Sequence, residues 1–380
     1  MLSLKPLLEL QVHRWLSEYI TVLGWSPVGT RLAVASGAGE VVLWQEDFQE
    51  TVLQTASGAS IDALGFSSEG QWLATAGQAG AVKIWQLSSD SQPSDSPELV
   101  ETLTWESAWI DRLQWHPHQP WLAYNCGKAV HIWDAEQGEP LTTLELPAAV
   151  QDLGWSPDGT HLAVSAQQRV HIWETSRWRS PQYEWELTAV SQNLQWSPKG
   201  AYLASANQDS SVGVLTWDNV HLLKQSTDDP TPENQADLPA TLRGFPGKVR
   251  QLAWADVPDA VRSPILATAT RDLVAMWILI PDEGWQSWLL DLHQGTVLDV
   301  AFQPQSSLLA SLSDRGWILL WQAAVEPAQV LEGAKEGFSC MTWHPTGEYL
   351  AAGGQHGEVL VWTLCPDARA RILQQPEALL

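Results

Sequence analysis

Cysteine is scarce in this sequence: three in 380 residues, Cys126, Cys340 and Cys365, with no CxxC pair among them. An odd set without that spacing excludes a disulfide framework and a zinc ribbon as the source of order, and fits a reduced compartment. Cations are scarce as well, 20 lysines and arginines against 44 aspartates and glutamates, for a formal net charge of −24. Nucleic acid and anionic lipid surfaces are gripped by Lys and Arg neutralising phosphates, so no nucleic-acid partner and no anionic membrane surface is expected. No apolar run reaches the roughly 18 residues of a membrane helix. The stretch from Met1 to Leu10 is interrupted by Lys5, Pro6 and Glu9, which denies it the core of a signal peptide. The expectation is a soluble, cytoplasmic protein with no membrane insertion.

Signatures of chemistry are lacking too. The sequence contains no GxSxG elbow, no GxxxxGK phosphate loop closed by Ser or Thr, and no GxGxxG fingerprint. His116 and His118 could share a metal, but no Cys, Asp or Glu at zinc-like spacing completes the set, and the pair reads as a solvated turn. His131 and His171 each stand two residues before a tryptophan in matching segments, so they report a repeat and not a site. No catalytic residue, cofactor or metal is assigned.

Tryptophan is what the sequence has in excess, 24 residues of it. Eight close short β-like runs: Trp44, Trp85, Trp133, Trp173, Trp217, Trp277, Trp321 and Trp362. A second aromatic precedes each by 18 to 23 residues: Trp25, Phe66, Trp115, Trp155, Trp196, Trp254, Phe302 and Trp343. Two aromatics held in near-fixed register over a recurrence of this length mark one supersecondary unit copied and stacked. A single domain over residues 1–380 follows from that recurrence.

Each unit repeats the same grammar. Five positions before the first aromatic sits an apolar residue, Ile20, Ile61, Ile110, Val150, Val249, Val297 or Phe338, with Ser191 the exception. After it comes a turn, plainest at Ser26-Pro27, His116-Pro117, Ser156-Pro157, Ser197-Pro198 and His344-Pro345, where proline ends the ladder and presets the bend. A Leu-Ala run follows, then a small-residue turn, then the run that closes on tryptophan. Glu50 to Thr55, Leu99 to Thr104, Leu141 to Leu146, Tyr183 to Thr188 and Trp285 to Leu292 supply a fourth strand. Four short antiparallel strands per unit with no helical period describe one propeller blade.

The pattern resembles the WD40-repeat β-propeller family from Ile20 to Trp362, most plainly at Val150 to Glu174 and Val297 to Trp321, with the WD dipeptide itself at Trp133-Asp134 and Trp217-Asp218. The resemblance implies an all-β fold, one propeller of eight four-stranded blades. Blades of the family usually carry a buried histidine, hydroxyl, aspartate and tryptophan network. Here only His293 is well placed for the histidine, and the aspartate positions read Ala38, Ala79, Gly127, Gln167, Ser211, Arg271, Arg315 and His356, so the network is expected to be absent as usually built, although Asp209, Asp272 and Asp314 lie within a few residues and could substitute after a local shift. Cohesion should then rest on apolar and indole packing. Both Leu7 to His13 and Ala370 to Gln374 look suitable as an extra outer strand, and the N-terminal one is expected to close the ring. The polar inserts at about 88–97 and 225–239 are expected to be mobile loops.

In propellers of this family the turns between second and third strands share one face with the connections from the fourth strand to the next blade, and that face usually binds partners. Arg14, Trp15, Trp109, Lys128, Arg169, Lys248, Arg271, Arg315, Trp317 and Phe338 fall in or beside those turns. Arg and Trp dominate interface energetics. The opposing possibility is that the aromatics pack inside the rim and the cations pair with neighbouring carboxylates. The resemblance implies a non-catalytic scaffold for protein–protein interaction or complex assembly. Two other classes stay open: an enzyme with a central-channel site, and a small-ligand or metal-binding accessory factor in which several of His13, His116, His118, His344 and His356 meet.

Overall fold

Short apolar runs separated by tight polar turns can satisfy their backbone groups only by pairing with their chain neighbours. Ile20–Trp25, Arg31–Ser36, Val41–Gln45 and Glu50–Gln54 do so in sequence order, antiparallel throughout. The arrangement recurs until eight four-stranded sheets stand as the blades of a β-propeller. The computed structural model describes residues 5–45, 48–87, 96–106, 108–218, 220, 239–256 and 264–373. The expectations for the polar inserts fall almost wholly on 88–95 and 221–238, which lie outside the described residues. Blade six, the most irregular copy in sequence, is complete: Val249–Trp254, Ile265–Thr270, Leu273–Ile280 and Gly284–Leu290. Among the described residues no helix is long and apolar enough to cross a membrane.

Burial grades across each blade. The second strand is sandwiched between neighbouring blades and is fully buried where its residues are small or apolar, as in Ile265–Thr270, whereas the outer strand Glu139–Glu145 buries only Leu144. The closing tryptophans fill the space between blades, with Trp44 and Trp321 at 1% and 2% exposure. The first aromatics do more than pack. Trp115, Trp155, Trp196, Trp254 and Trp343 each donate from Nε1 to a carbonyl of the preceding blade's inner strand, at 2.8 to 3.1 Å. An indole N–H needs such a partner once buried, and here the partner lies across the blade boundary.

Seven inner strands slip register between their first and third residues, as at Val150/Asp152 and Val297/Asp299. A bulge of this kind re-aims the side chain that follows it. In blade four that residue is Asp152, whose carboxylate meets Arg112 Nε of blade three at 3.2 Å and the Leu194 N–H of blade five at 2.7 Å. In blade seven it is Asp299, which accepts from the Met341 N–H of blade eight at 3.2 Å. Burial raises both carboxyls to about 6, against the pull of these bonds. Blade cohesion therefore includes directional hydrogen bonds that the expectation of packing alone omitted.

The expected absence of the buried network needs one correction. In blade seven His293 Nε2 and Trp321 Nε1 both lie 2.7 Å from Ser311 Oγ, so three of its members are assembled there. Asp314 is spent elsewhere, accepting from the Thr296 N–H at 2.9 Å. Ring closure follows the N-terminal alternative: Leu8–Trp15 pairs with Glu358–Leu364, the third strand of blade eight, from Leu8↔Leu364 to Trp15↔Glu358. The described part of the C-terminal candidate, residues 370–373, is not a strand. Ala368–Leu373 is a short helix whose Arg371 donates to the carbonyls of Lys5 and Pro6 at 2.8 and 2.7 Å.

Candidate partner-binding face

Antiparallel order puts every second-to-third turn, and every connection to the next blade, at the same end of the strands. Trp15 ends the outer strand of blade eight there, 61% exposed and stacked on His13 at 4.0 Å. Beside it Arg14 is exposed, its Nη1 donating to the His13 carbonyl. Tyr19, 41% exposed, lies over Gly37 in the adjoining turn. In the connection between blades two and three Trp109 is 57% exposed, and Nε1 donates at 2.8 Å to Asp62, a carboxylate that also accepts from Ser60 Oγ. The indole is thus held by its Nε1 edge while more than half of it stays exposed, which is how an aromatic anchor is presented without loss of order. Tyr19 and Asp62 belong to no motif, and only the folded backbone reveals that they flank the tryptophans.

The cations divide into two groups. Arg169 bridges Glu184 at 2.9 Å and Glu186 at 2.7 Å, so for this residue the paired-cation alternative holds. Arg169, Glu186 and His171 stand at a pocket of about 650 Å3 on the same face. Burial lowers the His171 pKa, opposed by Glu184 at 3.1 Å from Nδ1. Lys128, Lys248, Arg271 and Arg315 are exposed and make no ion pair among the described residues. Arg250 joins this second group, a residue that sequence reasoning passed over because it sits within the inner strand Val249–Trp254 and not in a turn.

Two aromatics of the candidate set are placed differently from the exposed tryptophans. Trp317 opens the third strand of blade seven and is half-buried opposite Glu332. Phe338 is wholly buried, edge-on to Trp362, and cannot touch a partner. It fills the same inner-strand position as Ile20 and Val150, where the propeller needs an apolar residue.

Of the five candidate histidines His116 and His118 stay side by side, ring centroids 6.1 Å apart, with His118 Nε2 3.1 Å from the Pro157 carbonyl, and no group of three or more possible metal ligands forms among the described residues. On the opposite face His116 Nε2 lies 2.9 Å from the Gly159 carbonyl of blade four, and His344 Nε2 3.0 Å from the Gly29 carbonyl of blade one. Gln303 reaches the Gly347 carbonyl in the same way at 2.7 Å. His116 is 4% exposed, so the solvated-turn reading gives way to a clasp between blades. His344 and His356 lie at opposite ends of Tyr349–Gly354.

Residues 50–86, 138–174, 285–322 and 325–363 match the family model described as WD domain, G-beta repeat. Each match starts at the outer strand of one blade and ends just past the closing tryptophan of the next, so the sequence unit straddles two blades. Protein HIR1 from Cryptococcus neoformans var. neoformans serotype D, in strains JEC21 and B-3501A, is 27% identical to this chain over 160 residues. That similarity covers 38% of this chain, which spans 18% of the length of those relatives.

Proposed function

This chain is a β-propeller of WD40 repeats, and from that premise we propose that it serves as a rigid, non-catalytic platform, cytoplasmic in setting, that holds protein partners together. Propellers of this family typically bind other proteins. The observation that carries the reading is the presentation of Trp15 and Trp109, 61% and 57% exposed, on the face formed by the inter-blade connections. Neither belongs to the two aromatic series that build the blades. Large exposed indoles backed by hydrogen-bonded or stacked neighbours have the chemistry of interface anchors, and the cations around them steer approach. Arg14, Lys128, Lys248, Arg271, Arg315 and Trp317 complete this working surface, from which Phe338 is withdrawn and in which Arg169 acts as a paired residue.

The test compares affinity capture from the native cell extract by the parent protein and by the Trp15→Ala/Trp109→Ala variant, with the fold of each verified. Polypeptides enriched on the parent and lost from the variant would support the platform reading and identify the partners. Recovery of the same set on both would remove these tryptophans from the site.

A further inference from the structure

A second concavity on the same face, about 510 Å3, is lined by Lys248, Arg250, Arg271 and Asp272 with the glycines Gly247 and Gly295. Arg271 and Arg315 hold equivalent places in the second-to-third turns of blades six and seven, and each side chain is seated on a glycine two residues ahead of an inner strand. A Cβ added to Gly247 would fall 2.6 Å from Arg271 Cγ, and one added to Gly295 would fall 2.4 Å from Arg315 Cγ. Arg271 Nη1 is further tied to the Pro246 carbonyl at 3.4 Å. Two guanidinium stems are thereby laid against backbone in repeated fashion, and seating them in advance lowers the ordering cost of any ligand they take.

The charge balance says which ligand. With 44 acids for 20 bases, a cation on this protein has carboxylates to pair with, as Arg112, Arg169 and Arg243 do. Lys248, Arg250, Arg271 and Arg315 nevertheless make no ion pair among the described residues, though all four are exposed at one junction. Asp314, which could have paired with Arg315, is turned instead onto the Thr296 N–H. We propose that this cleft between blades six and seven captures a short carboxylate-rich peptide segment of a partner protein. Arg271 and Arg315 fork onto its Asp or Glu side chains, and Lys248 and Arg250 line the approach. The body's charge of −24 repels a long polyanion, whose phosphates extend beyond the cleft, whereas a peptide with a few acids meets the field of the cleft first. Among the described residues the cleft lining also contains no aromatic on which a base could stack. This inference rests on the platform reading and specifies the chemistry of one of its contacts.

The experiment uses the full chain and a fluorescein-labelled octapeptide of alternating Glu and Asp, followed by fluorescence polarisation. Saturable binding is expected, weakening as salt rises to physiological strength. The Arg271→Glu/Arg315→Glu variant should weaken it by about tenfold or more, since both charge-assisted forks are replaced by repulsion. Arg179→Glu, a reversal of an exposed charge in the turn between the third and outer strands of blade four, on the opposite face, should leave it within about twofold, because exposed charges at a distance are screened. Equal binding by the parent and the double reversal would overturn the proposal. So would an oligothymidylate of matching charge that displaces the peptide more effectively than unlabelled peptide does. If the peptide fails to bind while the tryptophan variant still loses its partners, only the acidic-peptide inference falls. If the peptide fails to bind and the parent protein captures no partner, the platform reading falls with it.

Discussion

The side-chain amide of Gln329 pairs with the backbone of Leu8 as a strand would: Oε1 accepts from the Leu8 N–H at 2.9 Å and Nε2 donates to the Leu8 carbonyl at 2.7 Å. Oε1 also accepts from the Leu7 N–H at 2.7 Å. Gln329 belongs to the outer strand of blade seven, so it fastens the first strand of the chain to a blade other than the one it completes. Replacing it by alanine leaves three partly buried backbone groups without this partner, and a loss of about 2 kcal/mol is expected. The shift of the denaturant midpoint at constant slope measures it. Removing residues 1–14 takes away the strand itself, and the cooperative unfolding transition should disappear.

Stability should respond to acid in two opposed ways. Burial raises Asp299 to about 6, so its contribution is fully present below the unfolded carboxyl pKa and is lost as pH rises through 6. Burial lowers His293 to about 4, so its contribution is fully present above the unfolded imidazole pKa and is lost as pH falls toward 4. Between pH 7.5 and 4.5 the linkage integrals are about 2 kcal/mol for the aspartate and about 2.5 kcal/mol for the histidine, with opposite sign. Asp299→Asn should therefore lose more stability than the parent over that interval, and His293→Gln less. Denaturation midpoints of the three proteins at the two pH values check the signs.

Glycines at positive φ should differ according to what surrounds them. Gly29 has φ +81°, and an added Cβ would lie 2.1 Å from His344 Nε2, inside the clasp between blades eight and one. Gly127 has φ +58° with open space around it. Gly127→Ala should cost only the backbone penalty, about 1 kcal/mol, whereas Gly29→Ala must also displace the imidazole and should cost at least about 3 kcal/mol. Parallel thermal melts separate the two, and a second substitution His344→Ala should recover part of the Gly29→Ala loss.

Ser311→Ala removes the hydroxyl shared by His293 and Trp321, stranding the buried Trp321 indole N–H and the His293 Nε2 at once. A cost of about 2 to 3 kcal/mol is expected, since orphaned buried polar groups are more expensive than the net worth of their bonds. Ser313→Ala, one turn of the pleat away on the same strand, loses only a 3.3 Å bond to the Trp317 carbonyl and should cost less. Equal losses would place the energy in the strand and not in the shared hydroxyl.

The eight blades could be read from the chain because their determinants are local: an apolar alternation, a Ser-Pro or His-Pro turn, and an aromatic at each end. What escaped reading depends on register between elements. The carboxylates that hold Arg169 stand 15 and 17 residues further on, and face it only because Arg169 pairs with Glu186 across the third and outer strands. The partners of the indole N–H groups lie in the preceding blade, about 40 to 60 residues back, and nothing in a strand's own sequence names them. Phe338 was legible as core from its inner-strand position, but its nearness to a connecting turn suggested exposure. Arg250 was hidden for the converse reason, since it stands inside a strand yet is exposed.

The pairing of Leu8 with Leu364 also fixes an order of events when the chain is made. The strand that finishes the last blade leaves the ribosome ahead of its partner, which emerges some 350 residues later. At synthesis rates of roughly 5–20 residues per second, that interval lasts from tens of seconds to more than a minute. Throughout it the growing protein is an open arc. Leu8–Trp15 has no ladder, and the newest blade presents an uncovered apolar flank. Such an arc can meet another arc as readily as its own far end, so crowded synthesis favours exchanged dimers in which each chain lends its first strand to the other.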